Sequence, residues 1–272
     1  MKIIGKISIN LFLFLLMLCC ILPFWMAFTM STLPNGTLFI SLPMLPGREF
    51  LVNLEELFSR INIMRNFMNS VIVSVSSTVM NLFFSALAAY AFSKHRFRFK
   101  EALFLFAVFT MFIPTNLTFV GYVQQMSAWG LMNTLWPLII PSLGSGLVIF
   151  IVRGYIAESV PDSLVESAKM DGCFDFMIFI RIVLPLIKPV LAAVGILLFM
   201  GSWNEFARPL VILVHSRNFT LPLAVASLQG IFSANYSVIS VGVLISTFPI
   251  LIAYAFLSRL FIEALTSGAV KG

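Results

Sequence analysis

The sequence predicts an all-α integral membrane protein with six transmembrane helices. Three observations predict it. Of 272 residues, 60% are apolar and only 10% charged, whereas a soluble domain carries about 25% charged residues. Six stretches are mainly apolar over about 20 residues, the length a helix needs to cross hydrocarbon. Lysine and arginine gather in alternate connections between those stretches, the usual sign of membrane orientation.

The predicted spans are residues 7–30, 68–92, 102–125, 134–153, 190–213 and 239–260, within a single transmembrane domain over 1–272. The first follows Lys2 and Lys6. A cleaved leader has a shorter core and a small-residue cleavage site, but here bulky Phe24, Trp25 and Met26 follow Pro23. It is expected to stay as a span. The fourth contains Pro137, Pro141, Gly144 and Gly146, and the fifth carries Glu205 and Arg208 near its end. Such residues are tolerated where neighbouring helices re-satisfy the freed backbone.

With the N-terminus inside, twelve of the 17 basic residues fall in cytoplasmic segments. Four fall outside (Arg48, Arg60, Arg65 and Arg217), and Arg208 sits near a span end. Both termini are therefore expected in the cytoplasm. The formal charge of +6 belongs to this bias rather than to nucleic-acid contact. The outside segment 31–65 is turn-rich until Asn53–Phe58, which predicts a short exterior helix. The run Ser93–Lys100 alternates basic and aromatic residues, as an interfacial turn with phenylalanines dipping into lipid does. Three cysteines and two histidines, His95 and His215, have neither disulfide nor metal-ligand spacing.

The loop at 157–189 carries the clearest signal. Ser159 with Asp162 three residues on resembles an N-cap box, with Pro161 in the first turn. Gly172 suits the left-handed position past a helix end. Together they predict a helix of about 12 residues, some 18 Å long. Val160, Leu164, Val165 and Ala168 fall on one stripe, and Asp162, Ser163, Glu166 and Lys169 on another. The helix is too short and too polar to span. From the residues alone, a helix covering headgroups and a helix meeting a protein partner both fit. Phe174–Leu184 predicts a second helix, with Pro185 and Pro189 breaking the chain before the fifth span.

These residues resemble a known family. Glu166-Ser167-Ala168, three residues, Gly172, nine residues, Ile182, one residue and Leu184-Pro185 is similar to the E-A-A-x3-G-x9-I-x-L-P signature of ABC importer permeases. Ser167 stands where the family usually has alanine, and is small enough to pack similarly. Gly201-Ser202-Trp203-Asn204-Glu205-Phe206 with Pro209-Leu210 resembles the fifth span of carbohydrate-importer permeases, as does the ending around Leu265–Gly272. Within them the likeness is to the maltose-type second permease. The resemblance implies a MetI-like permease core of five helices with one extra N-terminal span. It implies that the loop is an ATPase-coupling element, with Asp162, Glu166, Ser167, Ala168, Asp171, Gly172, Ile182, Leu184 and Pro185 as its residues. It further implies a bacterial cell-membrane location and, as partners, a cytoplasmic ATP-binding subunit dimer, a second permease and an exterior solute-binding protein. No cofactor is implied.

Charge deep in lipid is costly and usually faces a cavity or a partner. Glu205 and Arg208, three apart, are expected on one helix face as a pair. That pair is either structural or, with Asn204, part of the translocation path. Asn116, Gln124, Gln125 and Asn133 flank the third span's outer end. Tyr122 and Trp129 suit sugar hydroxyls and sugar faces. Asn116, Tyr122, Asn204 and Glu205 are the expected path residues, although each alone is more often interhelical glue.

The chain has no phosphate-binding Gly-x-x-x-x-Gly-Lys-Ser/Thr motif, so ATP chemistry is expected on a separate chain. A secondary transporter would need intramembrane coupling-ion residues, a channel a filter or pore ring, and a membrane enzyme paired catalytic groups at depth; none is visible. A sugar or oligosaccharide is the expected solute, with a glycerol-phosphate diester or polyol as the alternative.

Overall fold

The computed structural model describes residues 2–35, 44–114, 118–230 and 234–269, and is helical throughout with no strand among them. Asn116 and the tail residues 270–272 lie outside the described residues. Among the described residues, five stretches are long and apolar enough to cross a membrane: Lys6–Ser31, Ile63–Lys94, Trp136–Ser159, Lys188–Ile212 and Tyr236–Ala255.

The chain divides into two compact units. The first comprises Met1–Phe67 and Thr220–Pro249. Here α1 (Lys2–Ser31) runs through Pro23, and none of its apolar stretch is buried. The short exterior helix is longer than its sequence signal, α2 (Phe50–Arg60). Its Asn53, nearly buried, donates to the carbonyls of Ser31 and Leu33 at 2.9 and 3.1 Å. Carbonyls at a helix end have no intrahelical partner, and Asn53 supplies one. The second unit comprises Met68–Phe219 and Ile250–Gly272.

The helix α3 (Ile63–Lys94) carries the second predicted span as one unbroken helix of 32 residues. One of its faces buries Ser70, Ser74, Ser77, Asn81 and Ser85, spaced three or four apart. Ser77 shares a 2.8 Å hydrogen bond with Ser202, and the Ser85 hydroxyl accepts from the Ser145 amide at 3.1 Å. Polar contacts between spans hold helices together in lipid, where little hydrophobic force acts between them.

The third predicted span, 102–125, is not one helix. It consists of α4 (Lys100–Phe109), a 3-10 turn at Thr110–Phe112, and α5 (Phe119–Ala128). Pro114 explains the break: the residue before a proline is pushed out of the helical region, and Ile113 is extended at φ −78°, ψ 116°.

The fourth stretch is also interrupted, as α6 (Trp136–Ile139), a 3-10 turn at Ile140–Ser142, and α7 (Gly146–Ser159). It runs six residues beyond the predicted end at 153. Gly146 is required there, because a Cβ would stand 2.0 Å from the Ala107 carbonyl oxygen. This close approach packs the start of α7 on the end of α4. Further along the same pair, Arg153 meets Glu101 at 3.0 Å and lies 3.9 Å over the Phe104 ring.

Two elements form the root of the loop, α8 (Asp162–Met170) and α9 (Asp175–Ile178). Then come the three-residue α10 (Leu184–Leu186) and α11 (Lys188–Trp203). Pro189 therefore opens α11 rather than breaking the chain, as a proline in a first turn can. The remaining helices are α12 (Ala207–Ile212), α13 (Leu221–Ala226) and α14 (Tyr236–Ala269).

Candidate functional site: the charged projection

The projection begins where α7 ends. Ser159 is the last residue of α7, and Val160 and Pro161 are extended. Ser159 is therefore not the N-cap expected from its spacing to Asp162. Pro161 holds that position, with no side-chain cap. Pro161 biases Val160 away from the helical region, so the chain turns there and α8 starts two residues later than the box pattern implies. The helix has 9 residues.

Its far end follows the sequence closely. Gly172 has φ +80°. The Gly172 amide donates to Lys169 and the Cys173 amide to Ala168, both at 3.0 Å. These two bonds make a Schellman motif, which requires a left-handed residue. Asp162 in the first turn and Lys169 in the last both complement the helix dipole.

The expected stripes are largely present. Val160, Val165 and Ala168 are buried, but Leu164 is 39% exposed and leaves the apolar stripe. Asp162, Ser163, Glu166, Ser167, Lys169 and Asp171 are exposed. The Ser167 hydroxyl donates to its own helix at the Ser163 carbonyl, 2.8 Å. The departure from alanine thus leaves no polar group unpaired. Met170, 88% exposed, and Phe174, 60%, flank the Gly172 turn.

The second limb is one winding of mixed pitch. Between α9 and α10 lies a π turn, Phe179–Val183, in which the Leu184 amide reaches the Phe179 carbonyl. A proline inside a helix removes a bond to residue i−4 and crowds that carbonyl. The wider π turn just before Pro185 relieves the crowding. Ile182 and Leu184 are half-buried and Pro185 exposed. Ile178, Phe179, Val183 and Ile187 are buried with Tyr90, Val152, Ile156 and Val165 in a single core. The projection is thereby rooted on α3 and α7.

Polar contacts add to that root. Lys94, the last residue of α3, donates to the Val160 carbonyl at 2.6 Å and to Asp162 at 2.5 Å. The lysine's hydrogen bond and charge hold the Asp162 carboxyl below its ordinary pKa, with a smaller contribution from Arg96. Asp175 meets Lys169 at 2.9 Å and His95 at 3.7 Å. In sequence, Lys94 looks like one more member of a basic turn. The only hint is its place at the end of a span, where its neighbours Arg96 and Arg98 are exposed.

Among the described path residues, Tyr122 lies within electrostatic reach of Glu205 and Arg208, and Asn204 directly precedes Glu205. The Tyr122 hydroxyl donates to the Pro137 carbonyl. Glu205 and Arg208 do meet, at 3.8 Å, but not on one helix face. Glu205 lies in the interruption between α11 and α12, where its carboxylate accepts from the Ala207 and Arg208 amides at 3.1 and 3.4 Å. It caps the start of α12. Asn204 is exposed beside it. Asn133, left-handed at φ 59°, ties two loops: its amide oxygen accepts from Val214 and His215 at 3.0 and 2.9 Å. A cleft of about 490 Å³ lies between Ile72, Ser76 and Met80 of α3 and the segment Asn133–Trp136, and is lined by none of Tyr122, Asn204 and Glu205.

Long apolar helices with a short charged projection at the end of one of them describe an integral membrane protein. The chain belongs to the family of binding-protein-dependent transport system inner membrane components, which it matches over residues 81–265. It is 36% identical over 206 residues to the arabinooligosaccharides transport system permease protein AraQ of Halalkalibacterium halodurans, covering 76% of this chain and 74% of that one. It is 31% identical to the AraQ protein of Bacillus subtilis, covering 99% of this chain and 97% of that one. The lactose transport system permease protein LacG of Rhizobium radiobacter is 28% identical, over 83% of this chain and 82% of that one. In fold, the chain matches a bacterial ABC transporter involved in the import of the acidic polysaccharide alginate, with TM-score 0.84 and 22% identity, over 96% of this chain and 97% of that one. The chain is thus an ABC importer permease, a multi-pass inner-membrane component of a transport system with ATPase, solute-binding and second permease parts.

Proposed function

We propose that this permease imports an oligosaccharide, and that the 157–189 projection couples it to a cytoplasmic ATPase pair. The projection carries the coupling half of this reading. A 9-residue helix closed by the Gly172 motif and rooted on a buried core is rigid enough to transmit a push. Asp162, Glu166, Ser167, Ala168, Asp171, Gly172, Ile182, Leu184 and Pro185 are its coupling residues, and Met170 and Phe174 add apolar contact. Relatives named for arabino-oligosaccharides and lactose support the solute class. The cytoplasm is then the side of the projection and of both termini, and the chain crosses six times, the broken α4–α5 segment counted as one crossing.

In this reading an exterior binding protein delivers the solute, ATP closes the ATPase pair, and the projection moves the spans between inward-open and outward-open states. Asn204 and Glu205 lie on the path, because a carboxylate at a helix interruption in the membrane is placed for solute contact. Asn116 and Tyr122 belong to the same path at its outer end.

The test is uptake of labelled arabino-oligosaccharides into vesicles holding the assembled transporter. Uptake that requires ATP, and that Gly172→Trp abolishes without loss of assembly, is the expected result. Uptake driven by an ion gradient in the absence of ATP, or left intact in Gly172→Trp, overturns the coupling role.

A further inference from the structure

Lys94 is unusual among the basic residues near it. Its side chain is only 6% exposed, while that of its partner Asp162 is 78% exposed. A lysine is seldom covered to that extent without partners, since a desolvated ammonium needs acceptors to offset the loss of water. Lys94 has two. One is Asp162 in the first turn of α8, and the other is the Val160 carbonyl in the extended link between α7 and α8. That carbonyl is at a helix end, where backbone acceptors lack intrahelical partners. A single ammonium thus joins three elements: the end of α3, the link, and the start of α8.

The residues beside it extend the joint. His95 faces Asp175 in the first turn of α9. Asp175 also binds Lys169 in the last turn of α8. The Tyr90 ring stacks on Phe179 at 5.7 Å and meets His95 edge-on at 5.0 Å. Both limbs of the projection are therefore held by one turn of α3. Among the described residues, the unit's remaining ion pairs, Arg153 with Glu101 and Arg208 with Glu205, join neither limb.

We propose that Lys94 is a positioning residue that latches the projection to α3, so that the two move as one body. The inference rests on the coupling reading only for its consequence, since the latch itself is a property of this chain. In this arrangement α3 receives the displacement of α8 directly, and not only through the extended link at Val160–Pro161.

The experiment uses the full chain assembled with its ATPase in lipid nanodiscs, with the three native cysteines changed to serine. Spin labels at Ser163→Cys on the projection and Val79→Cys on α3, both exposed positions, report the separation by pulsed electron spin resonance, without nucleotide and with ATP–vanadate. The expected result is one narrow separation, the same in both states. Lys94→Met is expected to lose it, giving a broad or nucleotide-dependent separation, and Lys94→Arg to restore it. A narrow, unchanged separation in Lys94→Met overturns the latch, as does a separation in the unmodified chain that changes with nucleotide. If Lys94→Met does not assemble, Asp162→Asn, which alters an exposed side chain, is read by the same criterion. The coupling reading fails separately, through intact uptake in Gly172→Trp.

Discussion

The amide of Cys173 reaches back over Gly172 to the carbonyl of Ala168 at 3.0 Å. That bond can form only because Gly172 turns left-handed, at φ +80°. A Cβ there would meet nothing within 4 Å, so substitution strains the backbone without a clash. Gly172→Ala is expected to cost about 1–2 kcal/mol, the usual penalty for an L-residue in that region. Gly172→Asn is expected to cost less, because asparagine tolerates the conformation. Thermal unfolding of the two variants in detergent, compared with the unmodified chain, checks the order.

Gly146 makes the opposite case. Its φ is ordinary, but a Cβ would lie 2.0 Å from the Ala107 carbonyl, so α7 must move off α4. Gly146→Ala is expected to destabilise by about 1–3 kcal/mol, as overpacking does. Gly154→Ala, with open space around it on the same helix, is expected to be neutral or stabilising, because alanine is the better helix former. Equal melting points for the two variants would contradict the packing of α7 on α4.

The contrast between these glycines shows what was legible in the sequence. The Gly172 turn follows from local chemistry, namely an amphipathic stripe that ends at a glycine. Gly146 is needed only because of Ala107, a contact invisible along the chain. The same divide runs through the rest of the fold. Hydropathy located five of the spans, because apolar length is a local property. It overlooked the break at Ile113–Pro114, since an apolar run keeps its hydropathy through a kink. The box pattern placed the start of α8 at Ser159 because it ignored the effect of Pro161 on Val160. In the site, the exposed Glu166 face and the Gly172 cap were readable. Lys94 was not, because its role depends on a partner 68 residues away. The seryl face of α3 was readable in principle from its spacing, Ser70, Ser74, Ser77, Asn81 and Ser85.

The Tyr90 hydroxyl is buried and has no hydrogen-bond partner, although its ring packs on Phe179 and His95. An unpaired buried hydroxyl costs about 1–3 kcal/mol. Tyr90→Phe keeps the ring and removes the penalty, so it is expected to leave stability unchanged or raise it by about 1 kcal/mol. Tyr90→Ala removes the ring and is expected to lower stability by about 3–5 kcal/mol. Unfolding midpoints of the two variants separate packing from hydrogen bonding at this joint. A Tyr90→Phe protein markedly less stable than its parent would mean that the hydroxyl is paired after all.

The contact between Lys94 and Asp162 also makes a pH prediction. The Asp162 carboxyl is held below its ordinary value of 3.8, first by the hydrogen bond from Lys94 and then by the lysine's charge. A carboxyl depressed on folding contributes stability that is complete above its unfolded value and is lost as pH falls through its folded value. The contribution is therefore the same at about pH 7 and about pH 5, and disappears only below 3.8. Asp162 is exposed, so the effect is modest. Asp162→Asn is expected to lower the melting point by the same amount at neutral and mildly acid pH, with the two proteins converging in stronger acid. A gap that already closes between about pH 7 and about pH 5 would mean that the carboxyl is raised rather than lowered, and that Lys94 is not its partner in the folded protein.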